Sequence, residues 1–529
     1  MMKINRREFL RAIGLGSTAT AAACSADPVS WDPMVPIEHA YPYISQPEEI
    51  EPGNSSLITT SCNQCSEGCG LMAVNREGRI INVEGNRAHP LSKGQVCFQG
   101  ITGLQETYSP DRLPQPVKGN SKVSWTEALA NVAKVTTGPV TWIGRPRSGA
   151  MNALVKQFVV EALGGKVLYW DEMMSRSMYS ATASAFGIDG VPTFKLHDAQ
   201  TIVNFGMDFL SAEGSVQLSQ GWAHAKDPNN GGFLTKMYSI GPRIGLTNTN
   251  TDIHISINAG TESHLAYALA KMVADKRGYN GPAKSMLSSI DAEALLKVSG
   301  AKKEFVDTLV EELAAKSSVS LPGGIEASGN AGTLSLAVLL LNEVSGNIGT
   351  SVHFGLKNSF EFMSSSESVL KAVKGAKGGT LFIDDLDLGY VFAESSDIKK
   401  MLGEVKNLVV FANEMNDGIP ENALVLPSGT GFEKWGDNES SLGLHTISQA
   451  AMKPVNGNVI MSAEDILLKG AANISPPFGK ASVKGLGFKP LKLAPPDAAS
   501  ITALFKSEIK PDVEVSQNIS NKLSTGSVS

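Results

Sequence analysis

Four of the five cysteines lie within 36 residues, and their spacing is that of a metal centre. They read Cys62-Asn-Gln-Cys65-Ser-Glu-Gly-Cys69, then 27 residues, then Cys97, with no cysteine in the 432 positions that follow. Three thiolates on one short loop can face a single point. A fourth, returning after a hairpin, completes the ligand set of a [4Fe–4S] cluster. Gly68, Gly70 and Gly94 stand beside the ligands, where the backbone must turn without Cβ clashes. Two other chemistries use the same residues. Two disulfides are one, although Cys62 and Cys65 are too close in sequence for an ordinary bridge. A zinc site is the other, although paired C-x2-C units are its commoner signature.

The elements that position these ligands are local. Leu71 to Gly85 reads as two short strands around a Glu-Gly turn, a hairpin that brings Cys97 back toward the loop. Further on, Val140–Ile143, Thr201–Phe205, Thr380–Ile383 and Leu408–Phe411 are short, apolar and β-branched, as buried parallel strands are. Helical patterns over Met151–Leu163, His264–Asp275 and Ala331–Val344 alternate with them, which predicts an α/β fold. Phe205-Gly206-Met207-Asp208 follows one strand, where open α/β sheets place ligand loops.

With 529 residues, 42% of them hydrophobic and 19% charged, the chain can bury several cores. Its 46 basic against 52 acidic residues give a net charge of −6 and no basic stripe, which argues against nucleic acid as a partner. No apolar run approaches the roughly 18 residues of a spanning helix, so only the N-terminus can engage a membrane. There, Arg6-Arg7 precedes Glu8-Phe9-Leu10-Arg11 and an Ala/Gly-rich stretch, the layout of a twin-arginine export signal. Ala21-Ala22-Ala23-Cys24-Ser25 resembles a lipoprotein box in which Cys24 receives lipid. Residues 1–24 are thus read as a signal, and the Pro-rich residues 25–54 as an extended tether. Export of a folded chain suits a cluster inserted in the cytoplasm.

Taken with the cysteine motif, several later segments resemble the molybdopterin oxidoreductases of the dimethyl-sulfoxide-reductase type. Tyr108-Ser-Pro-Asp-Arg112-Leu-Pro-Gln-Pro116 is similar to that family's join after the cluster lobe, and Trp125-Thr-Glu-Ala-Leu129 to the start of its next helix. Ala259–Ala266, Leu341–Gly349 and Ala423–Pro427 with Glu433 resemble further segments in family order. The resemblance implies a small N-terminal β lobe over residues 55–112 holding the cluster through Cys62, Cys65, Cys69 and Cys97. It implies Rossmann-like α/β domains over 113–455, and a tail over 456–529 in place of the barrel that closes over the pterin.

Three positions depart from the family pattern. The loop that carries the metal ligand in catalytic members corresponds to Asp171–Met178, which has no Cys and in which Ser175 or Ser177 offers a hydroxyl. Gln99 stands where many members have Lys, two places after the fourth cluster cysteine. About 75 residues follow Pro454, fewer than the closing barrel needs. With Glu433-Lys-Trp-Gly-Asp437, these departures most resemble the molybdopterin-like B subunit of alternative complex III and its counterpart in the quinone reductase complex of sulfate reducers. The resemblance implies an electron-transfer subunit with one [4Fe–4S] cluster and without the family's Mo/W-bis-MGD cofactor. It implies three partners: a multihaem cytochrome c, a multi-cluster ferredoxin-like subunit, and a polysulfide-reductase-type membrane subunit. The alternative it leaves is a catalytic molybdenum or tungsten enzyme with a Ser ligand, acting on a small oxyanion or sulfur compound. The chain has no C-x-x-C-H, so it carries no c-type haem itself.

Overall fold

The computed structural model describes residues 53–472, except Ser66 and residues 137–139, 147–148, 171–175, 189, 212–215, 230–232, 324–330, 355–360, 393–396, 440–443 and 456–459. Arg6, Arg7, Cys24, Ser175 and most of the segments read as tether and tail lie outside the described residues. The folded unit begins at Ser55.

Three antiparallel strands open it: β1 (Ser55–Ser61), β2 (Gly70–Arg76) and β3 (Arg79–Gly85), in the order β1-β2-β3. The β2–β3 turn is Glu77-Gly78, with φ of 52° and 83°. Two successive positive φ values are what a tight hairpin between right-twisted strands requires. β1 and β2 pair along their whole length, from Ser55 opposite Arg76 to Ser61 opposite Gly70. That register leaves Cys62 and Cys69 side by side at the mouth of one loop, where the Cys62 backbone N–H donates to the Cys69 carbonyl at 2.8 Å. Helix α1 (Phe98–Tyr108) starts directly after Cys97 and packs against β3.

The main body holds a seven-stranded sheet. Its parallel part is β6 (Val140–Gly144), β7 (Lys166–Tyr169), β14 (Thr380–Asp384), β15 (Asn407–Phe411) and β16 (Leu424–Leu426). A short hairpin, β4 (Val117–Lys118) with β5 (Ser121–Lys122), extends one edge, for the order β5-β4-β16-β15-β14-β6-β7. Between β7 and β14 the chain builds a second, four-stranded parallel sheet from β9 (Thr201–Asn204), β10 (Lys236–Gly241), β11 (Ile253–Ser256) and β12 (Ser318–Leu321), ordered β11-β10-β9-β12. Two small pairs complete the strands: β8 (Pro192–Phe194) with β13 (Val352–Phe354), and β17 (Gly436–Glu439) with β18 (His445–Ser448). All four runs read from sequence as buried strands fall in the two parallel sheets.

The larger sheet packs on a core in which the Trp142 ring lies 5.6 Å from Phe382 and 5.5 Å from Phe411. The second core centres on two helices, Glu262–Arg277 and Ala331–Val344, over β10 and β11. Beyond residue 455 the chain is not all tail: helix Ala463–Ala472 buries Ile466 and Leu467 against the helix Trp125–Val135. Ala463, Ile466 and Leu467, at i, i+3 and i+4, form the buried face of that helix.

Candidate metal centre and the cleft beside it

All four cysteines of the motif are free thiols; Cys62 is buried and the other three are half-buried. Burial pushes the Cys62 thiol up to about 11; the Gln64 backbone N–H opposes this, and Cys97 and Glu106 add to it. Cys65 is raised by burial, then by Glu67, Cys62 and Cys69. Cys69 is raised by burial, then by Glu67, Cys62 and Cys97. The four sulfurs therefore share one neighbourhood, and as thiolates they need a compensating cation. Iron bound to them supplies it, because ligation replaces each proton with a metal. Tetrahedral zinc draws its sulfurs to about 2.3 Å from one centre, whereas a four-iron core is ligated at its corners. The donor set fits such a cluster.

The lobe around these ligands is closed by a distant part of the chain. Phe432, Ala451 and Met452 pack with Cys62, Leu71, Ala73, Ile80 and Val83 in one apolar core. The Asn75 side-chain amide donates to the Ala451 carbonyl at 2.7 Å, and the Thr60 hydroxyl to the Gln449 carbonyl at 2.9 Å. Gly68, at φ 63°, leaves room for the Asn438 side chain, which a Cβ there would meet at 2.7 Å. Sequence reasoning named Arg112 and Glu433 in separate motifs; the fold joins them. Arg112 Nη1 and Nη2 donate to Glu433 Oε1 and Oε2 at 2.9 and 2.6 Å, and the Glu433 side chain is fully buried. Backbone N–H groups of Thr430 and Val455 donate to the same carboxylate. Burial opposes ionisation of Glu433, but the Arg112 bonds and these N–H donors outweigh it and hold the carboxyl below its usual range.

Beside the cluster loop lies a cleft of about 530 Å³. It opens where the strand order reverses: from β6 the chain steps outward to β7, and from β14 the other way to β15 and β16. Open α/β sheets bind dinucleotides at such switch points. Here the lining includes four carboxylates, Glu106, Asp385, Asp387 and Glu414, against one guanidinium, Arg145. Asp385 holds a φ of 52°, uncommon for a residue with a side chain. The cleft is wired to the cysteine loop. Gln64 donates its amide to Glu106 at 2.8 Å, Asn413 donates to the other Glu106 oxygen at 3.2 Å, and Arg145 donates to the Gln64 carbonyl at 3.1 Å. None of these contacts is visible in sequence, since their members span residues 64 to 413.

His89 was also missed. It is 7% exposed, and its ring lies against Gly70, where a Cβ would come within 2.5 Å. Its Nδ1 accepts the Ser92 backbone N–H at 3.1 Å and sits 3.0 Å from the Ser92 hydroxyl. Burial holds its imidazole below the ordinary pKa. Of the two serines in the loop expected to carry the metal ligand, Ser175 is outside the described residues. Ser177 is in the first turn of the helix Arg176–Phe186, with its hydroxyl 3.3 Å from that of Ser335.

With this geometry in place, the comparisons are specific. A model of the molybdopterin oxidoreductase Fe4S4 domain matches residues 56–109, and one of the molybdopterin oxidoreductase domain matches residues 112–458. The chain is 24% identical over 523 residues to the menaquinone reductase, molybdopterin-binding-like subunit of Nitratidesulfovibrio vulgaris, covering 92% of this chain and 74% of that one. It is 27% identical over 232 residues to the alpha subunit of the F420-dependent formate dehydrogenase of Methanocaldococcus jannaschii, a match to 41% of this chain and 33% of the relative. It is likewise 27% identical to a sulfite dehydrogenase chain of Allochromatium vinosum, in a match to 42% of this chain and 24% of that one. Acetylene hydratase from Pelobacter acetylenicus has the same fold, with a TM-score of 0.63 over 79% of this chain and 69% of that one at 13% identity. The small β lobe and the α/β body that follows it, matched over well more than half of the length, place the chain in the molybdopterin oxidoreductase family.

Proposed function

We propose that the chain is the iron–sulfur, molybdopterin-like subunit of a membrane-associated, quinone-linked electron-transfer complex. In this reading Cys62, Cys65, Cys69 and Cys97 hold one [4Fe–4S] cluster, and the chain has no molybdenum or tungsten pterin of its own. The carboxylate lining of the switch-point cleft carries the second half. A pterin dinucleotide brings a diphosphate, and Glu106, Asp385, Asp387 and Glu414 repel it where positive groups or free backbone N–H donors are needed. The match to a menaquinone reductase subunit over nearly the whole chain supports the quinone-linked role. Such a role calls for three partners: a multihaem cytochrome c, a multi-cluster ferredoxin-like subunit, and a polysulfide-reductase-type membrane subunit.

A catalytic molybdenum or tungsten oxidoreductase is the second reading, favoured by the partial matches to formate and sulfite dehydrogenase chains. Ser175→Ala and Ser177→Ala together separate the two. The Ser177 hydroxyl already has a neighbour in Ser335, and in the electron-transfer reading the quinone-linked activity of the assembled complex stays nearly intact in both variants. A fall of about a hundredfold, equivalent to about 2.7 kcal/mol of barrier, supports a metal-ligating serine instead.

The proposed location is the outer face of the cytoplasmic membrane, through Arg6-Arg7 export and lipid on Cys24. Arg6→Lys with Arg7→Lys should retain the chain in the cytoplasm, as read by cell fractionation. Cys24→Ala should release it from membranes stripped of partner subunits. Normal export of the double-Lys variant contradicts the signal, and a mature N-terminus beyond Cys24 contradicts the anchor.

A further inference from the structure

The first βα unit of the larger sheet ends in an anion position that is already taken. Strand β6 stands at the switch point, and the helix after it runs from Gly149 to Val155 and continues without a break, in wider π-type turns, to Ala162. The start of such a helix offers free backbone N–H donors and the positive end of its dipole. In open α/β sheets this is where a dinucleotide diphosphate sits. Here a carboxylate of the chain itself holds the place. Asp437, the last residue of the Glu433-Lys-Trp-Gly-Asp437 motif, accepts the Ala150 N–H on Oδ2 at 2.9 Å. Gly149 makes room for it: its φ is 65°, and a Cβ there would collide with the Asp437 carboxylate.

The carboxylate is not free to swing aside. Asp437 lies in β17 opposite Ile447 of β18, and β17 packs on the helix Gly149–Val155. The same hairpin is pinned to the cysteine loop. The Ser61 hydroxyl donates to the Ile447 carbonyl at 3.3 Å, the Ser448 hydroxyl donates to Asn63 Oδ1 at 3.2 Å, and Asn438 fills the space that Gly68 leaves. We propose that Asp437 is a built-in anion that fills the phosphate position of this switch point and keeps diphosphate ligands out of it. This inference rests on the reading above that the chain holds no pterin dinucleotide, and it adds a cause separate from the acidic lining of the cleft: the donor and the dipole end that a diphosphate needs are already satisfied.

The test uses the full-length protein, with inorganic pyrophosphate as the probe in calorimetric titration. Asp437→Ala should bind it at least about tenfold more tightly than wild type. Adding Ala150→Pro to that variant removes the N–H donor in the first helical turn, where proline is tolerated, and should abolish the gain. Asp437→Ser, which keeps a small polar side chain in the strand, should also gain binding and decides the matter if Asp437→Ala fails to fold. Equal affinity in wild type and the Asp437 variants overturns the proposal and leaves the carboxylate as a cap for the helix. A gain that survives Ala150→Pro overturns it too, because the new site then lies elsewhere. Pterin extracted from the wild-type sample would instead overturn the reading of the function on which this inference rests.

Discussion

Arg112→Ala should destabilise the protein by about 3–5 kcal/mol, because it leaves the fully buried Glu433 carboxylate without its counter-ion. The pair joins the segment leaving the cluster lobe to the segment that closes over it, so the loss should appear as early unfolding of the lobe in urea or heat. Glu433→Gln should also destabilise, since its single amide oxygen can accept from Thr430 or from Val455 but not both, and it removes the charge that pairs with Arg112. Replacing both residues by apolar ones should recover part of the loss, and a double-mutant cycle measures the coupling. Acid acts on the same contact. The folded-state pKa of Glu433 lies below its ordinary 4.5, so its contribution is present above that value and is lost as pH falls through the depressed one. Glu433→Gln should therefore flatten the acid limb of the stability profile below about pH 4.5. An unchanged limb, or an Arg112→Ala variant as stable as wild type, excludes the pair as a keystone.

The second large effect is expected at the thiols. Each of Cys62→Ser, Cys65→Ser, Cys69→Ser and Cys97→Ser should lose the cluster and its visible absorbance, because a serine hydroxyl is a far poorer iron ligand than a thiolate. Cys62→Ser should also be the least stable, since Cys62 sits in the apolar core with Leu71 and Phe432 while the others are half-exposed. Iron content per chain, measured beside thermal unfolding, reads both. Unchanged iron in Cys65→Ser removes that residue from the ligand set.

What the sequence revealed and what it hid divide along sequence separation. The cysteine loop, the Glu77-Gly78 hairpin and the strands at Val140, Thr201, Thr380 and Leu408 are written in short-range patterns, where spacing and side-chain type act within a few residues. The closure of the lobe is not, because Asn75 meets Ala451 and Arg112 meets Glu433 only after the whole α/β body has folded between them. The acidic cleft was hidden for the same reason: its carboxylates come from α1 and from the loops after β14 and β15, and no local window contains them. Helix Ala463–Ala472 is a single short run, and the packing of Ala463, Ile466 and Leu467 in the core shared with Trp125–Val135 sets it apart from a tail.

Metal analysis of the full-length protein, purified with its complex and quantified per chain, tests the central claim most directly once the chain is separated from its partners under anaerobic conditions. The proposed reading predicts about four irons per chain, with no molybdenum, no tungsten and no extractable pterin. One molybdenum or tungsten per chain, accompanied by pterin, would contradict it and show that the carboxylate-lined cleft accepts a dinucleotide after all.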